Sequence, residues 1–325
     1  MVDAVETMAY AGEVPWHGSG NQVDDGVSVD EMTTQAGLNW TVSKRPVLYN
    51  TPENTVQMTF KDRFVLARDT DGKAMSVVSS RYKPVQPKEV MGFFRDLVDL
   101  GGFKLETAGS LQDGKKIWAL ARTGDTANLL GVDRVDEFLL LATSYDGTFA
   151  TVAEFTDIRV VCLNTLAAAL GNWSTRISIP HLREFNADEI KERMGIHKDA
   201  WEARRQAMEL LARTKVDVAK ASNVIHAVFK APLGEITSKE QAVLKNHATN
   251  VLQLFSGTGM GSDLSTAANT AWGLVNAGTE YVDHWKRART TDSRMNNAWF
   301  GEGARLKQDF WNARSEEHTS ELQSH

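Results

Sequence analysis

The chain has 325 residues with 42% hydrophobic and 24% charged residues, a composition that excludes disordered, low-complexity and collagen-like classes. Its net charge of −6 argues against a dedicated duplex-DNA binder, and its single cysteine, Cys162, excludes a disulfide framework and a Cys-x-x-Cys zinc site. Neither a signal peptide nor a run of about 18 apolar residues occurs, so we expect a cytoplasmic protein without a membrane span.

The first 180 residues are expected to form an N-terminal arm, 1–54, and an antiparallel α+β sheet domain, 55–180. Short β-rich segments alternate there with Asp-Gly pairs, which are typical of hairpin turns. The pattern predicts about three strands, a helix and four strands, with one further short strand. The first three strands are predicted at 56–60, 63–68 and 74–78, and the helix at 87–100. The four strands after the helix are predicted at 103–108, 116–121, 137–144 and 148–155, and the further short strand at 158–162.

The region 181–313 is predicted to be mostly helical. Asn186 and Thr237 each precede a glutamate by three residues, which is the capping-box pattern at a helix start. The predicted helices are 187–229 with a break near Gly195, 238–255, 263–290 and 294–312.

The last twelve residues, 314–325, have the sequence RSEEHTSELQSH. Eleven of them back-translate in frame into a common short-read sequencing adapter. We therefore expect this segment to be adapter read-through rather than native sequence, and to contribute nothing to the fold. The alternative is a solvated, frayed tail.

Four separate blocks resemble one known family. They are AYAGEVPWHGSGNQV, AGSLQDGKKIWALA, SYDGTFATVAEFTDIRVVCLNTLAAAL and TAWGLVNAGTEYVDHW, which lie between residue 9 and about residue 311 in this order. Together they resemble the phage/plasmid-like proteins of domain-of-unknown-function family 932. The resemblance implies a bacterial protein carried on a mobile genetic element, and it implies no particular activity.

Two short motifs are candidate ligand contacts. Trp16-His17 offers a stacking surface and a titratable imidazole, or else Trp16 simply anchors the N-terminal arm. Arg159 and Asn164 lie where a strand is expected to run into a helix start, a place where anions find free N–H groups. An ion pair of Arg159 with Asp157 or Glu154 explains the same residues.

A glycine-rich stretch, 257–261, lies between two predicted helices. It has the glycines of a phosphate-binding loop but lacks the Lys-Ser/Thr pair and the preceding strand. A flexible connection between helices is the favoured interpretation.

The predicted helix 263–290 has an apolar stripe that includes Trp272 and Val275. The opposite face carries polar residues at helical spacing: Asn276, Glu280, Asp283, His284 and Arg287. Asp283 and Arg287 are predicted to form an ordinary i,i+4 ion pair. The face is interpreted as solvated or inter-domain, as a nucleic-acid or ligand surface, or as half of a metal site built on Glu280 and His284.

The densest basic-aromatic run of the chain is Trp285-Lys286-Arg287-Ala288-Arg289, and the chain contains nine tryptophans. Aromatic faces interleaved with cations are typical of single-strand binding, although most tryptophans fill cores. Cations at the end of a helix also complement its dipole.

Three hypotheses about function follow. The leading one is single-stranded nucleic-acid binding without sequence preference. The second is an enzyme that uses Glu280, Asp283 and His284 as metal ligands or acid/base groups, and the third is a factor that binds a host or phage protein. We predict no cofactor and assign no metal site, and no catalytic motif decides whether the protein is an enzyme.

Overall fold

The structure, a computed structural model, describes residues 7–12, 20–52, 56–159, 164–165, 176–194, 197–236 and 238–322. The side chains of 158–159, 164–165, 197–200, 292 and 314–322 are not described. The chain divides into two compact units, each discontinuous in sequence. Unit 1 comprises residues 1–124, 138–154 and 176–195, and unit 2 comprises 125–137, 155–175 and 196–325.

The strands of the described residues form a large sheet and a small one. The large sheet has the order β10-β9-β8-β7-β6-β1-β2, with β11 also paired to β9, and the small sheet has the order β3-β4-β5. Their bounds are β1 Thr7–Ala11, β2 Asn21–Val23, β3 Val42–Asn50, β4 Gln57–Arg68, β5 Ala74–Ser79, β6 Lys104–Leu111, β7 Lys116–Leu129, β8 Asp133–Ser144, β9 Thr151–Arg159, β10 Asn164–Thr165 and β11 Ile177–Ile179.

The α+β class is confirmed, but the large sheet is mixed rather than purely antiparallel. Its strands β1 and β2 pair in parallel, with Ala9 opposite Asn21. Both lie in the segment predicted to be an arm, where the sequence pattern had indicated no strand. The segments 56–60, 63–68 and 74–78 belong instead to the small sheet. The first two were predicted as separate strands but form the single strand β4, the third lies in β5, and β3 completes the sheet.

Gly109 of β6 explains how β1 is accommodated in the large sheet. Its neighbours in register are Met8 of β1 and Trp118 of β7. A Cβ at this position would lie 2.6 Å from the buried Trp118 ring and 2.5 Å from the carbonyl oxygen of Thr7. Only glycine allows this close approach.

The helices of the described residues are α1 Val29–Gln35, α2 Pro87–Phe93, α3 Arg95–Asp99, α4 Ala187–Arg193, α5 His197–Arg213, α6 Val218–Phe229, α7 Lys239–Gln253, α8 Ala271–Glu280, α9 Thr291–Phe300 and α10 Glu302–Leu322. Most of the predicted helices are shorter or divided in the structure, whereas α10 extends past its predicted end at residue 312 and α1 was not predicted. Single π-helical turns, Leu254–Thr258 and Tyr281–Trp285, follow α7 and α8. None of the helices among the described residues is long and apolar enough to cross a membrane.

Capping side chains account for several helix starts. The predicted cap at Asn186 is confirmed, because its side chain accepts the N–H of Glu189 at 3.1 Å. The predicted start at residue 263 is wrong, because Thr270 caps α8 by accepting the N–H of Gly273 and residues 259–269 form turns. Thr237 lies outside the described residues, and Ser238 caps α7.

The core of unit 2 surrounds α8. Trp272 and Val275 are buried, as predicted from the apolar stripe. The indole N–H of Trp272 donates to the carboxylate of Asp133 at 2.9 Å, and the hydroxyl of Thr266 donates to the same oxygen at 2.9 Å. This buried carboxylate therefore ties α8 and the turns before it to the start of β8.

The backbone of α10 extends as far as Leu322 and includes part of the segment interpreted as adapter read-through. The side chains beyond residue 313 are not described, so whether this segment packs in the fold stays a prediction.

Candidate functional site

The polar residues predicted to line an exposed helix face are buried inside unit 2. Asn276, Glu280 and Asp283 are each 3% exposed, and every residue of α8 is buried. The prediction of a solvated face is therefore wrong, because α5, α7, α10 and the Leu254–Thr258 turn pack against α8.

Glu280 binds the glycine-rich segment 257–261. Its carboxylate accepts the N–H of Met260 at 3.0 Å, and a Cβ at Gly259 would lie 3.1 Å from the same oxygen. Asn276 lines the same small recess and donates from its side chain to the carbonyl of Trp272 at 2.8 Å. A backbone N–H of the glycine-rich segment thus donates to a carboxylate of the same chain, in the way that backbone N–H groups of an anion-binding loop donate to a bound anion.

Asp283 forms a buried ion pair with Lys307 of α10, with a distance of 2.9 Å between the carboxylate oxygen and Nζ. The predicted pair of Asp283 with Arg287 is wrong. The Tyr281–Trp285 turn is π-helical, and the N–H of Lys286 donates to the carbonyl of Tyr281 at 2.6 Å. Arg287 therefore lies beyond the end of the helix, where α-helical spacing no longer applies.

His284 is half-buried, and its carbonyl oxygen accepts a hydrogen bond from the guanidinium of Arg294. Within the part of the chain that the structure describes, no group of three or more His, Cys, Asp or Glu side chains could hold a metal ion. Glu280 and His284 thus gain no further ligand there.

A histidine–tyrosine pair adjoins this region and was not predicted. The hydroxyl of Tyr281 is hydrogen-bonded to Nδ1 of His247 on α7, and the Phe229 ring stacks on the imidazole with 5.9 Å between centroids. Burial raises the pKa of Tyr281 to about 12 and lowers the pKa of His247. No spacing in the sequence links these residues, because three separate elements bring them together.

The segment 285–289, which begins at the last residue of the π-helical turn, is the exposed part of this region, and we call it the 285–289 loop. Trp285 is 44% exposed, and Arg287 and Arg289 are exposed as well. Among the described residues, no carboxylate forms a salt bridge with either arginine, whereas Lys286 pairs with Glu302 at 3.1 Å. The loop therefore presents one indole and two guanidinium groups to solvent.

A second buried charge cluster lies in unit 2. Arg204 of α5 is hydrogen-bonded to Glu137, and its Nε lies 3.3 Å from a carboxylate oxygen of Asp157. Burial raises the pKa of Asp157 to about 8, because desolvation penalises its charged form. Burial also lowers the pKa of Arg204 to about 10, which leaves it charged at neutral pH.

Several predicted contacts lie beyond what the structure describes. Trp16 and His17 are outside the described residues. Arg159 and Asn164 pair in register as residues of β9 and β10, but their side chains are not described. The predicted partners of Arg159 lie beside other arginines: Asp157 is 3.3 Å from Arg204, and Glu154 is 3.7 Å from Arg176.

Comparison with known proteins gives one match. A sequence model of the family described as Domain of unknown function (DUF932) matches residues 74–299. No curated protein and no solved structure matches the chain significantly. The matched segment covers α8 and the 285–289 loop and begins at the first residue of β5. Because it spans more than half of the 325 residues, the chain belongs to the DUF932 family.

Proposed function

We propose that the protein binds single-stranded nucleic acid without strong sequence preference, and that the 285–289 loop makes the contact. The observation that carries the proposal is the joint exposure of Trp285, Arg287 and Arg289 on one short segment. Exposed tryptophans are uncommon because indoles usually fill cores, and an exposed indole beside cations is typical of stacking surfaces.

The chemistry of the loop suits a single strand better than a duplex. An indole stacks on a base only when that base is unstacked from its neighbours, as it is in a single strand. The two guanidinium groups supply charge-assisted hydrogen bonds to phosphates, which contribute affinity but carry no base information.

Both ends of the loop are held by hydrogen bonds. The N–H of Lys286 donates to the carbonyl of Tyr281, and Thr290 caps α9 by accepting the N–H of Ser293 at 3.0 Å. Such anchoring lowers the entropy lost when the loop binds a ligand.

The test is fluorescence anisotropy of labelled single-stranded oligonucleotides over a range of salt concentrations. Replacing Arg287 and Arg289 together with alanine should weaken binding and flatten the plot of log affinity against log salt by about 1.4, since each neutralised phosphate contributes about 0.7. Trp285→Ala should weaken binding by about 1–3 kcal/mol and leave the slope unchanged, because stacking involves no counterion release.

Matched controls are available on α5 of the same unit. Arg213 is exposed and pairs with no carboxylate among the described residues, and Leu210 is 53% exposed. Alanine at these positions should leave the affinity unchanged. The proposal fails if the parent protein does not bind, or if the control variants weaken binding as much as the loop variants do.

The other two hypotheses remain predictions without a specific observation in their favour. Glu280 and Asp283 are buried against Met260 and Lys307, an arrangement that serves the packing of unit 2. Exposed apolar side chains do occur within the region 186–255, including Leu233 and Val243, and they would suit a protein partner.

A further inference from the structure

The small sheet of unit 1 extends into a two-stranded ribbon, which we define as residues 47–50 and 56–63. Strand β5 pairs only with residues 63–67 of β4, so residues 57–59 pair with β3 on one side and with no strand on the other among the described residues; residues 60–62 lie where the register with β3 shifts. Every residue of Gln57–Arg63 is exposed. An open strand edge of this kind is a template for pairing with another chain.

One face of the ribbon is apolar. Tyr49, Val56, Met58 and Phe60 are each between 44% and 54% exposed. Tyr49 is opposite Met58 in register, and its ring contacts Phe60 edge-on with 6.5 Å between centroids. Aliphatic Val56 and Met58 offer no stacking surface to a base, so the face favours a protein partner.

The charges beside this face favour an acidic partner surface. Lys61 and Arg63 are exposed at the base of the ribbon, and Asp62 is the one acidic residue in the stretch 56–63. The stretch 61–63 at the base of the ribbon therefore carries one net positive charge, which an acidic strand edge would complement.

The same unit presents such an edge. Strand β2 ends the large sheet, and its outer side has no strand partner among the described residues. An open recess lies beside β2, and its lining includes Asp24, Asp25 and Glu31. Lys104 pairs with Asp25 at 2.7 Å, which leaves the recess with a net negative charge.

We propose that the ribbon of one copy of this chain docks on the β2 edge and acidic recess of a second copy. The occupant is a second copy because one unit carries both surfaces, with opposite charges and open strand edges. Strand addition would satisfy backbone groups on both edges. The contact is head-to-tail, so it produces rings or open chains rather than a two-fold dimer.

The experiment is sedimentation velocity on the full chain over a wide range of concentration. The parent should sediment faster as its concentration rises. The ribbon variant carries Lys61→Glu and Arg63→Glu, and the edge variant carries Asp24→Lys and Glu31→Lys. When either variant is measured by itself, its sedimentation rate should no longer depend on concentration. An equimolar mixture of the two should regain this dependence, because the ribbon of one and the edge of the other both remain native.

Two controls test folding and the contribution of the apolar face to association. Circular dichroism should show that both charge variants keep the parent's secondary structure. The double variant Met58→Ser with Phe60→Ser should associate more weakly than the parent, although its charge is unchanged. A parent that stays monomeric at every concentration overturns the proposal, and so does a mixture that fails to associate. Loss of oligonucleotide binding in the ribbon variant, with a monomeric parent, would assign the ribbon to nucleic acid instead.

Discussion

The buried ion pair of Asp283 and Lys307 gives the sharpest prediction for unit 2. The two side chains are 4% and 1% exposed, and 2.9 Å separates their charged atoms. At an effective dielectric constant of about 20, the attraction at this distance is roughly 6 kcal/mol, and desolvation of both groups offsets much of it. Removing one partner leaves the other charge buried without its counterion, so Asp283→Leu or Lys307→Met should each cost about 3–5 kcal/mol.

Urea denaturation of the two single variants and the double variant measures this coupling. The double variant should recover most of the lost free energy of unfolding, because leucine and methionine fill the space with no unpaired charge. Glu302→Gln is the control, since it removes the more exposed pair with Lys286 and should cost at most about 1 kcal/mol. A double variant as unstable as the sum of the single variants would refute the buried pair.

Three further outcomes are expected in unit 2. Trp272→Ala should lower the free energy of unfolding by about 3–5 kcal/mol in urea denaturation, because the ring is fully buried. Gly278→Ala should cost about 1–3 kcal/mol in the same assay, since a Cβ there would lie 2.4 Å from the ring of Phe310. The folded-state pKa of Asp157 is about 8, against about 3.9 for an unfolded carboxyl, so the folded state holds this proton more tightly. The free energy of unfolding should therefore fall as pH rises from about 4 to about 8. Asp157→Asn should flatten the plot of melting temperature against pH over that range. If the variant has the same plot as the parent, Asp157 is ionised beside Arg204.

The sequence predicted the strands whose pattern is local. Asp71-Gly72 and Asp146-Gly147 are typical of hairpin turns. Both glycines have the positive φ that glycine adopts readily, whereas the two aspartates do not, so the turns differ from the type I′ turn that the Asp-Gly pairs predict. Strand β1 was missed because its pairing is not local. It pairs with β6, about a hundred residues further along the chain, and nothing within Thr7–Ala11 indicates that partner.

The candidate site was predicted only in part, because periodicity shows which residues face the core and not whether the opposite face is covered. The stripe containing Trp272 was correctly expected to be buried, but the polar face was expected to be exposed. A signal for full burial was present in AWGLVNAGTE, where small and apolar residues occur on all sides of the helix. The partners of Glu280 and Asp283, a backbone N–H and a lysine on another helix, were not apparent from spacing.

The net charge and the loop together restrict what kind of binding is possible. The chain carries a charge of −6, so long-range attraction to phosphates is absent and affinity must come from local contacts. If the loop binds a strand as proposed, its two exposed arginines would neutralise about two phosphates, compared with the 6–10 phosphate contacts of strongly salt-dependent duplex binders. A single loop would therefore bind a strand weakly.

Head-to-tail association would place several loops on one assembly. After the first loop has bound a strand, the others would meet that strand at a high effective concentration, so the overall avidity would rise although each single contact stays the same. On this argument, the ribbon variant should bind long oligonucleotides more weakly than the parent does, while its affinity for an oligonucleotide that fills one loop should be unchanged.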